Sequence, residues 1–250
     1  MNDASKCVVL VPVFGQIEPE TEAALRVLAT RGYAVRTLRG SSQIDLARST
    51  LATRAMRDGF AETMWIDADT VFEPDAVDKL RAHGKPLTAG LYMRKGPKEF
   101  AAKFRSPRAT FGALGGLLDM VYVGMGFTHV RAEVYERVGA KLPTCRGGYD
   151  AETFVPYFLP MLVPEGDDLC YLSEDYSFCH RARKAGFQVL ADTTIRLGHV
   201  GRYVYTWDEF APRQKFDVLE LGVEPAQPKQ PARDQAIQVC GPVLREFAHA

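Results

Sequence analysis

Met64-Trp65-Ile66-Asp67-Ala68-Asp69-Thr70-Val71-Phe72-Glu73-Pro74 is an apolar run that stops on two aspartates and passes at once into a helix start. On extended backbone, side chains spaced i, i+2 point the same way, so Asp67 and Asp69 would converge. They would stand at the carboxyl end of a buried strand, where open α/β sheets place their ligands. No lysine or arginine separates them in the sequence, so the carboxylates would repel. A hard divalent cation, Mg²⁺ or Mn²⁺, takes oxygen ligands and would relieve that repulsion. An Asp-x-Asp pair also arises by chance in loops and helix caps. Here Pro74 fits the first helical position, Asp75 the first turn, Val77 and Leu80 an apolar face, and Gly84 a stop. Glu73 and Asp75 therefore read as helix-start residues rather than ligands.

The segments before this stretch alternate regularly. Val8–Gly15 reads as a buried parallel strand ending in a loop. Glu18–Thr30 has helical spacing, Tyr33–Leu38 is a second strand, and Ile44–Arg57 is a second helix with Ile44, Ala47, Leu51 and Ala55 on one side. With Met64–Ile66 as the third strand, the β-α-β-α-β-α order implies a right-handed, doubly wound parallel half. After it come predicted strands at Leu87–Met93, Phe100–Phe104 and Leu117–Val123, and a predicted helix at Thr128–Val138. Pro143–Asp168 lacks periodicity and reads as a lid or binding surface. Its aromatics Tyr149, Phe154, Tyr157 and Phe158 would stack on a ligand or anchor the lid. Glu174–Ala185 is a predicted helix and Phe187–Ala191 a final strand. From Val223 the tail carries Pro225, Pro228 and Pro231, an extended linker, before a helix at Asp234–Phe247 interrupted by Gly241-Pro242.

Composition narrows the class. The chain has 250 residues, 46% hydrophobic and 25% charged, with a net charge of zero. That suits one large α/β domain or two small ones, and argues against a nucleic-acid partner held by bulk charge. Five scattered cysteines (7, 145, 170, 179 and 240) form no zinc or disulfide pattern, which points to reduced thiols and a cytoplasmic protein. No segment is long and apolar enough to span a bilayer, so membrane contact would be peripheral.

A second stretch, Ser173-Glu174-Asp175-Tyr176-Ser177-Phe178-Cys179-His180-Arg181, places a capping serine and two acids at a helix start. Cap and dipole explain both acids without catalysis. Further on, Ile195-Arg196-Leu197-Gly198-His199-Val200 carries a lone histidine after the last core strand.

Together these stretches resemble glycosyltransferase family 2. Asp67-Ala68-Asp69 is similar to the Asp-x-Asp motif of GT-A enzymes. Glu174, Asp175, Phe178, Cys179, Arg181, Gly186 and Phe187 match the family's second signature, and His199 matches its late histidine. Val11-Pro12-Val13-Phe14 resembles the first strand and loop that cradle the nucleotide base. Asp45-Leu46-Ala47-Arg48-Ser49 resembles an Ala-Arg-Asn helix start, with Ser49 in place of asparagine. Gly124-Met125-Gly126-Phe127 resembles the glycine-rich turn before the acceptor side.

The resemblance implies an α/β GT-A fold, a Rossmann-like mixed sheet flanked by helices. Residues 1–205 would be the catalytic domain, with a nucleotide-binding half (1–95) and an acceptor half (96–205). Residues 206–250 would be an extension. It implies transfer of a single sugar from a nucleoside-diphosphate sugar to a hydroxyl on a glycan, small molecule or protein. Pro12, Val13, Phe14, Arg48, Asp67 and Ala68 would hold the donor, and Gly126 would allow close approach of a sugar. Asp67, Asp69 and His199 would hold Mn²⁺ or Mg²⁺. Asp175 would be the general base, with Glu174 second, giving inversion. The Gln-x-x-Arg-Trp motif of processive members is absent. A retaining GT-A transferase, a nucleotidyltransferase and a non-catalytic nucleotide- or sugar-binding module are the alternatives. Oligomeric state is open, a homo-oligomer included.

Overall fold

The computed structural model describes residues 3–96, 99–147, 152–201, 204–206 and 218–222. The predicted alternation forms as β1 (Cys7–Val13), α1 (Pro19–Thr30), β2 (Ala34–Arg39), α2 (Ile44–Arg57), β3 (Glu62–Ile66) and α3 (Asp75–Ala82). It continues through β4 (Leu87–Gly90), β5 (Ala102–Phe104), β6 (Leu117–Val123), β7 (Phe127–Arg131), α4 (Ala132–Gly139), α5 (Glu174–Lys184) and β8 (Val189–Asp192). Among the described residues these eight strands make one sheet, ordered β2-β1-β3-β7-β4-β8-β6-β5. Strands β2, β1 and β3 are mutually parallel, as are β4 and β8. The mixed α/β sheet flanked by helices expected from the sequence is what forms.

Strand β1 shows why the sheet takes helices on both faces. All seven of its residues are buried. Val8 and Leu10 join a core with Leu51 and Ala52 of α2, Val134 and Tyr135 of α4, and Phe178 of α5. Cys7, Val9 and Val11 join the opposite core with Leu25 and Leu28 of α1 and Val77 and Leu80 of α3. A period of two thus feeds two apolar layers, and each helix closes one of them with its apolar stripe.

The segment Thr128–Val138 corrects the sequence reading. Its first part is strand β7, antiparallel to both β3 and β4, and only its second part is helix. Phe127, Thr128 and Val130 are strand formers, and the slot between β3 and β4 buries residues 127–130 on both faces. A fully buried strand has no polar alternation to announce it. Pro74 sits at the N-cap of α3 rather than inside it. The Pro143–Asp168 segment contains an antiparallel hairpin, Met161–Glu165 with Asp168–Leu172. Its Tyr157 and Phe158 are buried, and Phe158 stacks on Phe178 with ring centroids 4.6 Å apart, so these two anchor the segment. Tyr149 lies outside the described residues, as do the proline-rich tail and the helix expected at its end. Residues Val218–Gly222 pair with Arg108–Gly112. Among the described residues, no helix is long and apolar enough to cross a membrane.

Candidate active site

The parallel strands β1, β2, β3 and β4 end on one edge of the sheet, and every candidate residue collects there. Strand β3 stops at Ile66, and the Asp67 N–H donates to the Gly126 carbonyl at 3.0 Å. The Thr70 N–H then returns to the Asp67 carbonyl at 3.1 Å, so residues 67–70 form a turn. The turn sends the two side chains to different partners, rather than in the common direction an extended chain would give them. Asp67 turns inward onto Arg48, with Nη1–Oδ1 at 3.0 Å and Nη2–Oδ2 at 3.1 Å. Asp69 faces His199, with Oδ1–Nε2 at 3.4 Å, and its other oxygen is ion-paired with Lys95. Each carboxylate has its own cationic partner, Arg48 for Asp67 and Lys95 for Asp69.

Arg48 was expected beside the donor. The structure puts it underneath the site, where its side chain is 2% exposed. It sits over the Trp65 ring at 5.6 Å, and the Trp65 Nε1–H is fixed by donation to Tyr135 Oη at 2.7 Å. Its Nε reaches Asp175 Oδ1 at 3.1 Å, so one guanidinium bridges the end of β3 and the start of α5. Several of these contacts are ionic without aligned hydrogen bonds: Arg48 Nε and Nη1, Asp67 Oδ1 and Asp175 Oδ1 are buried and have no hydrogen-bond partner. Ser49 accepts from the Phe158 N–H at 3.2 Å and so anchors the anchoring segment rather than the donor.

Asp175 is at the second helical position of α5, behind Ser173, whose side chain makes no capping bond. The helix terminus alone would lower its pKa. Burial dominates instead and, with Glu174 and Asp67 adding like charge against Arg48, holds the Asp175 carboxyl at about 7. One cation facing two carboxylates leaves an excess negative charge, which a proton on Asp175 relieves. The Met125 N–H donates to Asp175 Oδ2 at 3.0 Å and fixes the carboxyl plane.

His199 arrives on a short strand, Gly198–Val200, paired antiparallel with Thr70–Val71. Its Nδ1 lies 2.8 Å from the Met93 carbonyl. A carbonyl only accepts, so Nδ1 carries the proton it shares with Met93, and Nε2 is the ring nitrogen turned to Asp69 Oδ1. Burial pushes the Asp69 pKa up, but His199 and Lys95 outweigh it and hold Asp69 below its ordinary value. One ionised carboxylate and one imidazole nitrogen suit Mn²⁺ or Mg²⁺. Among the described residues no group of three or more acidic, histidine or cysteine side chains surrounds a common point. A cation here would therefore complete its shell from substrate oxygens and water, as these ions do beside phosphates.

Pro12, Val13, Phe14, Asp67, Ala68 and Asp69 line one open pocket of about 280 Å³. Phe14 is 74% exposed at its mouth and free to stack on a planar ring. Tyr92 belongs to the site and had no signal in the sequence, where it is one residue of an apolar run. Its hydroxyl accepts from the Gly126 N–H at 3.1 Å, and its ring meets His199 edge-on at 5.2 Å. Gly126 borders Tyr92 and Asp67. A Cβ at Gly126 would fall 2.8 Å from Tyr92 Oη and 2.9 Å from Asp67 Oδ2. Gly126→Ala must displace Tyr92 or Asp67, and if this site carries a reaction, a displacement near 1 Å is expected to lower kcat by about 10²-fold. Steady-state kinetics on a variant with an unchanged circular-dichroism spectrum checks this.

No protein-family model matches the sequence, and no curated protein matches it. Solved structures with a similar course of chain include A197 from STIV, at 14% identity and a TM-score of 0.48 over 84% of this chain and 98% of that one. GalNAc-T7, crystallised with UDP, GalNAc and Mn²⁺, is similar at 11% identity and a TM-score of 0.44 over 78% of this chain and 43% of its own. The inositol-1-phosphate CTP transferase from T. maritima is similar at 12% identity and a TM-score of 0.37, over 78% of this chain and 70% of that one. At such identities and scores the activity is left to be argued from the side chains themselves.

Proposed function

We propose that this chain is a glycosyltransferase that moves one sugar from a nucleoside-diphosphate sugar to a hydroxyl, with inversion. The observation that carries this reading is the separation of two carboxylates on one edge. Asp175 is held at about 7 by burial, while Asp69 is held ionised beside His199. Environments that push two acids apart assign them different tasks. Asp69 and His199 Nε2 would hold Mn²⁺ or Mg²⁺, which supplies charge neutralisation on the departing diphosphate. Pro12, Val13, Phe14 and Ala68 would hold the nucleoside. Asp175 would take the proton from the acceptor hydroxyl as its oxygen bonds to the anomeric carbon and the bond to the diphosphate breaks. A base on the face opposite the leaving group gives inversion. Asp175 is preferred over Glu174 because Arg48 and the Met125 N–H orient it.

The test is binding and turnover of UDP-, GDP-, TDP- and CMP-sugars with and without Mn²⁺, with the product anomer read by NMR. Metal-dependent binding of one donor and an inverted product are the expected result. No binding to any donor in either condition would defeat the transferase reading. A retained anomer would keep the transferase and remove Asp175 as its base.

A further inference from the structure

Asp69 is the candidate metal-holding carboxylate, yet its Oδ2 is already taken by the Lys95 ammonium. His199 Nε2 meets the other oxygen, Oδ1, at 3.4 Å. Lys95 is 40% exposed and sits in a turn where Gly96 takes a φ of +95°. The Arg94 N–H donates to the Glu99 carbonyl at 2.8 Å, and among the described residues the Lys95 ammonium is ion-paired with Asp69. A lysine head on a flexible four-carbon stem can leave such a pair without moving the backbone. An ammonium and a divalent cation on one carboxylate repel at close range, and burial around Asp69 sharpens that repulsion.

We propose that Lys95 is an exchangeable counter-ion: it neutralises Asp69 while no divalent cation is bound, and yields that carboxylate when a cation binds Asp69 and His199. Once displaced, its charge lies beside the same pocket and pairs with the diphosphate. Lys95 then weakens binding of the bare metal and links metal binding to nucleotide binding, a coupling that must be reciprocal. This inference rests on the metal reading above, and the two can fail separately.

The experiment titrates wild type, Lys95→Met and the double variant Lys95→Met/His199→Ala with Mn²⁺ alone, following free Mn²⁺ by electron paramagnetic resonance. Lys95→Met is expected to bind Mn²⁺ about tenfold more tightly than wild type, the order set by removing a competing charge a few ångströms away. Adding His199→Ala is expected to cancel the gain. Equal or weaker binding by Lys95→Met than by wild type overturns the exchange and leaves the metal reading standing. A gain that survives His199→Ala also overturns it, since the ion then sits elsewhere. Absence of Mn²⁺ binding in all three proteins overturns the exchange, which needs the bare ion to reach Asp69, while the metal reading is overturned only if Mn²⁺ also fails to bind with a donor present.

Discussion

Asp175→Asn is expected to lower kcat by about 10³-fold, within the range general-base catalysis contributes, while leaving donor affinity nearly unchanged. Asparagine is nearly isosteric, so packing under Arg48 survives, and only the capacity to accept a proton is lost. Near-normal turnover would remove Asp175 from the mechanism. The pH profile is the companion measurement. A carboxyl held at about 7 must ionise before it can act, so wild-type kcat/KM should rise with pH through that value. Glu174→Gln removes a like charge that helps raise it, and should move the midpoint to lower pH. Stability runs the other way. The folded pKa lies above the usual value of 3.8, so the fold favours the protonated form and loses stability as pH rises from about 4 to about 7. Asp175→Asn cannot ionise, and at pH 8 it should melt no lower than wild type.

How far the sequence reaches is seen by comparing Asp69 with Asp67. A period-two argument alone gives both the same direction, because it knows only that both follow an apolar strand. The structure separates them through contacts that span the chain: Gly126 captures the Asp67 N–H, and Arg48 lies beneath its carboxylate. Neither contact leaves a mark near residue 67. Pro12, Val13, Phe14 and Ala68 enter the reading through the resemblance, and the structure lines one pocket with them because neighbouring parallel strands deliver their ends to one edge. Strand β7 was not legible, since Phe127-Thr128-His129-Val130 shows neither clean alternation nor a continuous apolar run, and the pairing that buries Thr128 and His129 comes from β3 and β4. Tyr92 was hidden for a like reason. Its role follows from its hydroxyl reaching Gly126, and a tyrosine in an apolar run is as often plain core. Asp175 could be named as a base from its motif. That its pKa rises against the helix dipole depends on burial that only the packed structure supplies.

Arg48→Met is the other large effect, and here the loss is of fold as well as function. The guanidinium is ion-paired with both Asp67 and Asp175, and it is 2% exposed. Removing one partner of a buried ion cluster leaves charge without compensation and costs about 3–5 kcal/mol. For a chain of this size that is a fall in melting temperature of roughly 10 °C. Arg48→Lys keeps the charge, but a single ammonium cannot present a planar fork to two carboxylates, so it should recover only part of the loss. The decisive comparison is the triple variant Arg48→Met/Asp67→Asn/Asp175→Asn. Replacing a whole buried ion cluster by neutral groups of similar size is often neutral or stabilising. The triple variant should therefore melt well above Arg48→Met while remaining inactive. If instead it melts as low as Arg48→Met, the arginine acts through its packing on Trp65 and not as the shared counter-ion. Recovery of stability without activity would mean that the cluster is kept at a cost to stability because it holds Asp175 in place and sets its proton affinity.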